Sequence, residues 1–309
     1  MIDQELKMKK PSFIHRMILR DLGYDGPDME MEEMFRFFQN HGIPIKNGTM
    51  SFRDYVRFAK EAGFDGIDMM AFHFDEDGIS ARQILEEYGI TLSAVDIICE
   101  FGNAVTEEAF RQKYEETVEI MERAYEAGCR YILLVPTQYT PAPGVTREQI
   151  FHHMVRGLKA CVEYGNSKGM TVGTETLESI AVPLCSIGEM KRLFESVPGL
   201  KYNHDTGNPL VALEDPVEEY MAMQELVVNV HFKDLTYTEE KTNMMDSLGR
   251  YFSLAILGEG LVDFKKHLEL LKAADYQGFI TLEGMRPADN QLDGAVKALE
   301  YFREMEAGL

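Results

Sequence analysis

Short apolar runs alternate with longer amphipathic stretches from about residue 50 to the end of the chain. The apolar runs predict buried strands, and the amphipathic stretches have the spacing of surface helices. The predicted strands are 66–72, 91–99, 131–135, 170–175, 200–205, 227–232 and 278–283. The predicted helices are 52–62, 106–127, 147–167, 187–196, 216–226, 264–274 and 294–306. Strands that alternate with helices favour parallel pairing with right-handed crossovers.

An eighth strand is predicted within residues 13–22, where the apolar pattern is weaker. Eight such units close into a (β/α)8 TIM barrel, and we predict this α/β fold as a single domain over residues 1–309. The competing fold is an open doubly wound sheet, which favours a GxGxxG turn after its first strand, and the sequence has none.

Two stretches depart from this alternation of strands and helices. Residues 25–50 are predicted to be an N-terminal insertion, with an extra helix at 27–40 followed by a loop rich in Gly, Pro and Asn. Residues 236–257 are predicted to be an irregular connection after the seventh strand. Long loops at the carboxyl end of a barrel commonly cover the functional site, so both stretches are candidates for such a cover.

Three carboxylates and one imidazole stand at or near the ends of four predicted strands. They are Glu175, Asp205, His231 and Glu283, separated by 30, 26 and 52 residues. In a parallel barrel the carboxyl ends of all strands meet at one mouth. Three acidic groups brought together without compensation would be costly, whereas a divalent metal binds such an oxygen-rich set. The sequence therefore predicts a metal site at the mouth.

The alternation of side chains along the strands supports this placement. Around His231, the apolar Val230 and Phe232 belong on the helix-facing side, which leaves His231 and Lys233 pointing inward. His204 adjoins Asp205 and should point to the opposite face, so we expect it not to be a ligand.

These residues lie in motifs that resemble a known family. The sequence is similar to the xylose-isomerase-like TIM barrels, the superfamily of sugar isomerases, epimerases and endonuclease IV, over about residues 50–305. The matching pieces are Ala62-Gly-Phe-Asp-Gly-Ile-Asp68, the fifth-strand Glu175, Asp205-Thr-Gly-Asn208, His231-Phe-Lys-Asp234, Leu257-Gly-Glu-Gly-Leu-Val-Asp-Phe264 and Tyr276-Gln-Gly-Phe-Ile-Thr-Leu-Glu283. Asp68 stands where the family more often has Glu, and Asn208 stands where several epimerases have His.

The resemblance implies that Glu175, Asp205, His231 and Glu283 hold one divalent ion, with Mn²⁺ preferred and Mg²⁺, Co²⁺ or Zn²⁺ as alternatives. It also implies that Glu175 and Glu283 act as the catalytic acid and base on either side of a bound sugar. A metal ion polarises a sugar carbonyl and its neighbouring hydroxyl, and the flanking carboxylates then move a proton through an enediolate intermediate.

This chemistry predicts an isomerase or epimerase that acts on a keto-sugar or related polyol. The first alternative is a metal-dependent lyase on a keto-sugar, similar to an inosose dehydratase or to the catalytic subunit of a C-glycoside deglycosidase. An abasic-site endonuclease and a non-catalytic sugar-binding barrel are further alternatives. Release of water or an aglycone would indicate the lyase, and exchange of an α-proton without elimination would indicate the isomerase.

Five further residues are candidates for contact with the substrate: Lys233, Arg286, His73, Glu178 and Asn208. Three of them have a plainer interpretation. Lys233 could instead be a solvated or ion-paired lysine beside Asp234, Arg286 a surface arginine, and Glu178 a surface or ion-paired carboxylate.

The composition of the chain limits its possible partners and its cellular compartment. The chain of 309 residues carries 52 acidic and 31 basic side chains, for a formal charge of −21, which argues against a nucleic-acid partner. The four cysteines form no CxxC pair, which predicts reduced thiols in a cytoplasmic protein. No run approaches the ~18 apolar residues of a membrane span. We expect a homo-oligomer, with a second small subunit if the enzyme is a lyase.

Overall fold

The computed structural model describes residues 12–14, 43–45, 48–70, 75–76, 79–136, 141–242, 244–283 and 291–309. Eight parallel strands form a closed barrel. In chain order they are β1 (Ser12–Ile14), β4 (Gly66–Met70), β7 (Thr91–Ile98), β8 (Tyr131–Val135), β9 (Thr171–Thr174), β10 (Lys201–Asp205), β11 (Val227–Lys233) and β14 (Ile280–Glu283). The first strand closes the ring, because Ser12 is paired with Gly66 on one side and with Thr281 on the other.

Helices follow the strands around the outside of the barrel. In chain order they are α1 (Phe52–Ala62), α2 (Ala81–Tyr88), α3 (Glu107–Glu126), α4 (Arg147–Lys168), α5 (Ile187–Ser196), α6 (Pro216–Met223), α7 (Phe264–Ala273) and α8 (Gln291–Ala307). Local sequence determines where helix α1 begins and ends. The side chain of Ser51 caps the start of α1, and Gly63 ends that helix at a φ of 92°, a conformation that favours glycine.

The core lies between the barrel and its helices, as the alternation of side chains predicts. Val230 and Phe232 are fully buried on the outer face of β11. The ring of Phe232 lies 4.8 Å from that of Phe264 on α7 and 6.1 Å from that of Phe302 on α8. The opposite face of the same strand is thereby left to the polar side chains of the barrel interior.

Most predicted elements lie within a few residues of the observed ones, and two regions differ. Helix α2 was absent from the sequence prediction. The stretch 236–257 is not wholly irregular, because β12 (Leu235–Thr238) and β13 (Tyr251–Leu254) pair as an antiparallel hairpin. A small apolar cluster of Leu235, Phe252 and Leu254 with Val211 explains why this connection folds.

The N-terminal predictions are covered only in part. The predicted strand at 13–22 is observed as Ser12–Ile14, and its remaining residues lie outside the described part of the chain. Within the predicted insertion, β2 (Ile43–Ile45) and β3 (Gly48–Met50) pair antiparallel, whereas the helix predicted at 27–40 lies outside the described residues. A shorter antiparallel pair joins β5 (Asp75–Glu76) to β6 (Ile79–Ser80).

All four cysteines are buried free thiols, which agrees with the predicted lack of a disulfide frame. In the described ranges no helix combines the length and the apolar character needed to cross a membrane.

Candidate metal centre

The four predicted ligand residues converge at the carboxyl end of the barrel. Glu175 follows β9 directly, Asp205 and Glu283 end β10 and β14, and His231 lies near the end of β11. Each offers a ligand atom within 4.8 Å of the other three, and all four side chains are buried. Strand register accounts for this convergence, because His231 is paired with Asp205 on one neighbouring strand and with Thr281 on the other.

Asp205 fits a metal ligand particularly well. Its Oδ1 accepts hydrogen bonds from the backbone N–H groups of Gly207 and Asn208, both at 2.8 Å, which fixes the carboxylate plane. Its Oδ2 is buried and accepts no hydrogen bond from any described residue. Burial raises the pKa of Asp205 well above its ordinary value, against the opposing effect of Lys233. A bound cation would supply the missing partner of this buried oxygen and would stabilise the ionised carboxylate.

His231 bridges two groups of carboxylates. Its Nδ1 lies 3.0 Å from Glu283 Oε2 and 3.6 Å from Glu175 Oε2, so this nitrogen faces the ligand cluster. Its Nε2 lies 3.1 Å from Asp68 Oδ2 on β4. Burial alone would lower the pKa of His231, but the hydrogen bonds to Asp68 and Glu283 outweigh it and hold the pKa well above its ordinary value. A metal at Nδ1 would replace one proton, and the Nε2–H group would still donate its hydrogen bond to Asp68 Oδ2.

Asp68 also belongs to the site, although the sequence analysis identified it only as a position where the family more often has Glu. It is fully buried, accepts a hydrogen bond from Thr281 Oγ1 at 2.6 Å, and also contacts the Ser93 hydroxyl. These donors orient the carboxylate toward His231. The signal in the sequence was an acidic residue between the apolar Ile67 and Met69 of a predicted buried strand.

Asp96 on β7 is a second buried carboxylate that the sequence analysis did not identify, and its sequence signal is the same as that of Asp68. It stands between Val95 and Ile97, and one of its oxygens lies within 4.8 Å of ligand atoms of Asp68 and His231. Burial raises the pKa of Asp96 well above its ordinary value, which favours the neutral carboxylic acid.

Lys233 points into the mouth, as its place in the alternation predicts. Its Nζ contacts Glu178 Oε2, donates to Asn208 Oδ1 at 2.8 Å and lies 3.3 Å from Glu283 Oε1. The plainer interpretation of an ion-paired lysine therefore holds, with Glu178 and Glu283 rather than Asp234 as the partners. Asp234 instead accepts the backbone N–H groups of the turn after the hairpin, at 3.0 Å from Gly258 and 2.8 Å from Gly260.

Of the other predicted substrate contacts, two are located in the structure and two lie outside its described residues. Glu178 and Asn208 are both placed beside Lys233, and contact with substrate stays a prediction for all three. His73 and Arg286 lie outside the described residues. His204 faces away from the ligands, as expected, and stacks on His267 with ring centroids 5.3 Å apart. Burial lowers the pKa of His204 to about 3.

Comparison with known proteins agrees with this geometry. The family model for the xylose isomerase-like TIM barrel matches residues 56–305, and the chain belongs to this family. An inosose dehydratase of Geobacillus thermodenitrificans is 23% identical over 285 residues, which cover 86% of this chain and 93% of that protein.

Two solved structures show the same fold. A probable 3-DHS dehydratase from Bacillus anthracis has a TM-score of 0.70 at 17% identity and covers 95% of this chain and 98% of its own. A 3-keto-D-glucoside 4-epimerase from E. coli has a TM-score of 0.66 at 17% identity and covers 82% of this chain and 94% of its own. Enzymes of both reaction types, elimination and epimerisation, therefore share this architecture.

Proposed function

We propose that the protein is a divalent-metal-dependent enzyme that removes a proton from the carbon beside the carbonyl of a keto-sugar or keto-polyol. The observation that carries the proposal is the convergence of Glu175, Asp205, His231 and Glu283, with ligand atoms within 4.8 Å of one another. The dehydratases and epimerases similar to this chain support it, because both reactions can begin with this proton loss.

The four converging residues would hold the ion. Their three carboxylates and one imidazole suit Mn²⁺ or Mg²⁺, with Co²⁺ or Zn²⁺ as alternatives. When bound, the ion supplies Lewis-acid polarisation of the carbonyl and the neighbouring hydroxyl oxygen of the substrate.

Glu175 and Glu283 are the proposed proton-transfer residues. They extend from the ends of β9 and β14, which β10 and β11 separate in the barrel, and in the proposed complex they flank the substrate. Glu175 Oε2 accepts a hydrogen bond from Asn203 Nδ2 at 2.9 Å, which restrains its orientation. One carboxylate takes the α-proton, and the other delivers a proton to the substrate.

Lys233 is the proposed donor to a substrate oxygen. Its ammonium group is fully buried beside Glu178 and Glu283, where a hydrogen bond to an incoming hydroxyl is not weakened by bulk water. In an elimination, the electrons of the broken C–H bond form a C=C bond while the β-hydroxyl takes up a proton and leaves as water. Lys233 would steady that departing oxygen.

We place dehydration first because the inosose dehydratase of Geobacillus thermodenitrificans matches this chain over 86% of its length. Isomerisation or epimerisation is the second candidate. It is favoured by the meeting of Glu175 and Glu283 in one site, since two carboxylates can move a proton between carbons or between faces.

The experiment is incubation with Mn²⁺ in D₂O against a panel of inososes and keto-hexoses, followed by NMR. Loss of water with formation of an enol or the 1,2-diketone to which it tautomerises supports dehydration, and deuterium incorporation with carbon skeleton and oxygens retained supports the second candidate. Glu283→Gln should abolish either signal, whereas the exposed Glu259→Gln should not. Retention of activity in Glu283→Gln would contradict the proposal.

A further inference from the structure

A fully buried carboxylate lies outside the barrel, away from the proposed ligands. Glu219 is on α6, on the side that packs against β10, and is 0% exposed. Its Oε1 accepts a hydrogen bond from Thr176 Oγ1 at 2.5 Å, and its Oε2 lies 3.6 Å from His204 Nδ1. Burial raises the pKa of Glu219 to about 7, so keeping an acid here costs the fold stability at neutral pH. An apolar side chain would fill the same space without that cost.

The partner of Glu219 connects this outer layer to the mouth. Thr176 directly follows Glu175, and the two side chains point to opposite sides, Glu175 to the ligand cluster and Thr176 to α6. The Thr176 hydroxyl also lies 3.1 Å from the hydroxyl of Tyr202. Fixing the Thr176 side chain from outside therefore fixes the backbone from which Glu175 projects.

A second connection runs through the carbonyl group of Thr176. This oxygen accepts a hydrogen bond from Asn208 Nδ2 at 2.8 Å, and Asn208 Oδ1 in turn accepts from Lys233 Nζ at 2.8 Å. Glu219, Thr176, Asn208 and Lys233 thus form a continuous hydrogen-bonded path, buried along its length. The links of this path are hydrogen bonds of 2.5–2.8 Å between buried groups, so a shift at one end is transmitted to the other, while Glu219 Oε2 accepts no hydrogen bond from any described residue.

We propose that Glu219 is a positioning residue: through Thr176 it holds Glu175 in place for the metal and, through Asn208, holds Lys233 in the mouth. The proposal rests on the proposed function, because it takes Glu175 as a metal ligand. Substitution of a residue that is hydrogen-bonded to a metal ligand commonly weakens metal binding by roughly 10–100-fold. Glu219 contacts Thr176 rather than the ligand Glu175 itself, so we expect an effect at the lower end of this range, about 10-fold.

Two pairs of variants separate positioning from packing. Glu219→Met and Thr176→Val remove the acceptor or the donor while nearly keeping the shape of the side chain. Glu219→Gln and Thr176→Ser keep the hydrogen-bonding group. Both Glu219 variants remove the buried charge, so any effect of charge on stability is common to them, and only the hydrogen bond differs. Glu214→Gln is the matched control, since Glu214 accepts the Ile187 N–H at 2.6 Å and does not contact Thr176 among the described residues.

The measurement is Mn²⁺ affinity by calorimetry on the intact protein at pH 8, with a urea midpoint for each variant. We expect about 10-fold weaker binding for Glu219→Met and Thr176→Val, and affinity close to that of the parent protein for Glu219→Gln, Thr176→Ser and the control. Unchanged affinity in the first pair, or affinity that follows the urea midpoint across all variants, overturns the positioning role. If the parent protein binds none of Mn²⁺, Mg²⁺, Co²⁺ and Zn²⁺, the proposed function itself fails, together with the inference built on it.

Discussion

The buried carboxyl group of Glu219 makes a quantitative prediction about stability and pH. Its pKa is raised from 4.5 to about 7 in the folded protein, chiefly by burial. A raised carboxyl pKa means that folding favours the protonated form. The stability that this group contributes is therefore present below pH 4.5 and is lost as the pH rises through about 7. Glu219→Gln, which does not ionise, should escape this loss.

The magnitude follows from the size of the shift. One pKa unit corresponds to about 1.4 kcal/mol, so the shift from 4.5 to about 7 is worth about 3 kcal/mol over the full titration. About 2.5 kcal/mol of this falls between roughly pH 5 and pH 8, by the linkage relation. The neighbouring His204 and His267, with pKa values lowered by burial to about 3 and about 4, stay neutral in the folded protein over this interval.

The assay is urea unfolding at several pH values from 5 to 8, followed by far-ultraviolet circular dichroism. The free energy of unfolding of Glu219→Gln minus that of the parent protein should rise by about 2.5 kcal/mol across this range. Glu218→Gln is the matched control, because Glu218 is the preceding residue of the same helix and is exposed. A difference that stays flat with pH for Glu219→Gln, or rises equally for the control, would refute the reasoning.

Three further predictions concern separate parts of the molecule. Asp68→Asn should weaken Mn²⁺ binding by about 10–100-fold in calorimetry, because Asp68 orients the imidazole of His231; equal affinity would count against this orientation. Lys233→Met should lower kcat/KM by at least about 100-fold while Mn²⁺ binds as tightly as before or tighter, since a buried cation near the ligands is removed. Phe232→Ala should lower the free energy of unfolding by about 3–5 kcal/mol in urea, whereas the exposed Leu248→Ala should change it little.

Local signals explain why the barrel could be predicted from the sequence. Helix α1 begins and ends where predicted because Ser51 caps it and Gly63 takes a left-handed conformation. The inward and outward faces of β11 followed from period-two alternation alone, which placed His231 and Lys233 in the mouth. Neither inference needed any contact between distant parts of the chain.

Contacts between distant parts of the chain account for what sequence reasoning missed. Lys233 and Asp234 are adjacent along the chain, but neighbouring side chains of an extended segment point to opposite faces, so Lys233 contacts Glu178, Asn208 and Glu283 from other parts of the chain. The hairpin of β12 and β13 has weakly apolar strands and a long connection, and it is stabilised by packing on Val211. The Glu219 path depends on α6 lying against β10, which no local pattern specifies.

The central claim is that one divalent ion binds where Glu175, Asp205, His231 and Glu283 meet. Calorimetric titration of metal-stripped protein with Mn²⁺ tests it most directly, alongside Asp205→Asn as the ligand variant. We predict one ion per chain and an affinity at least about 100-fold weaker in Asp205→Asn, because the buried Oδ2 then lacks its charge. No saturable binding, or equal binding by the variant, would contradict the account.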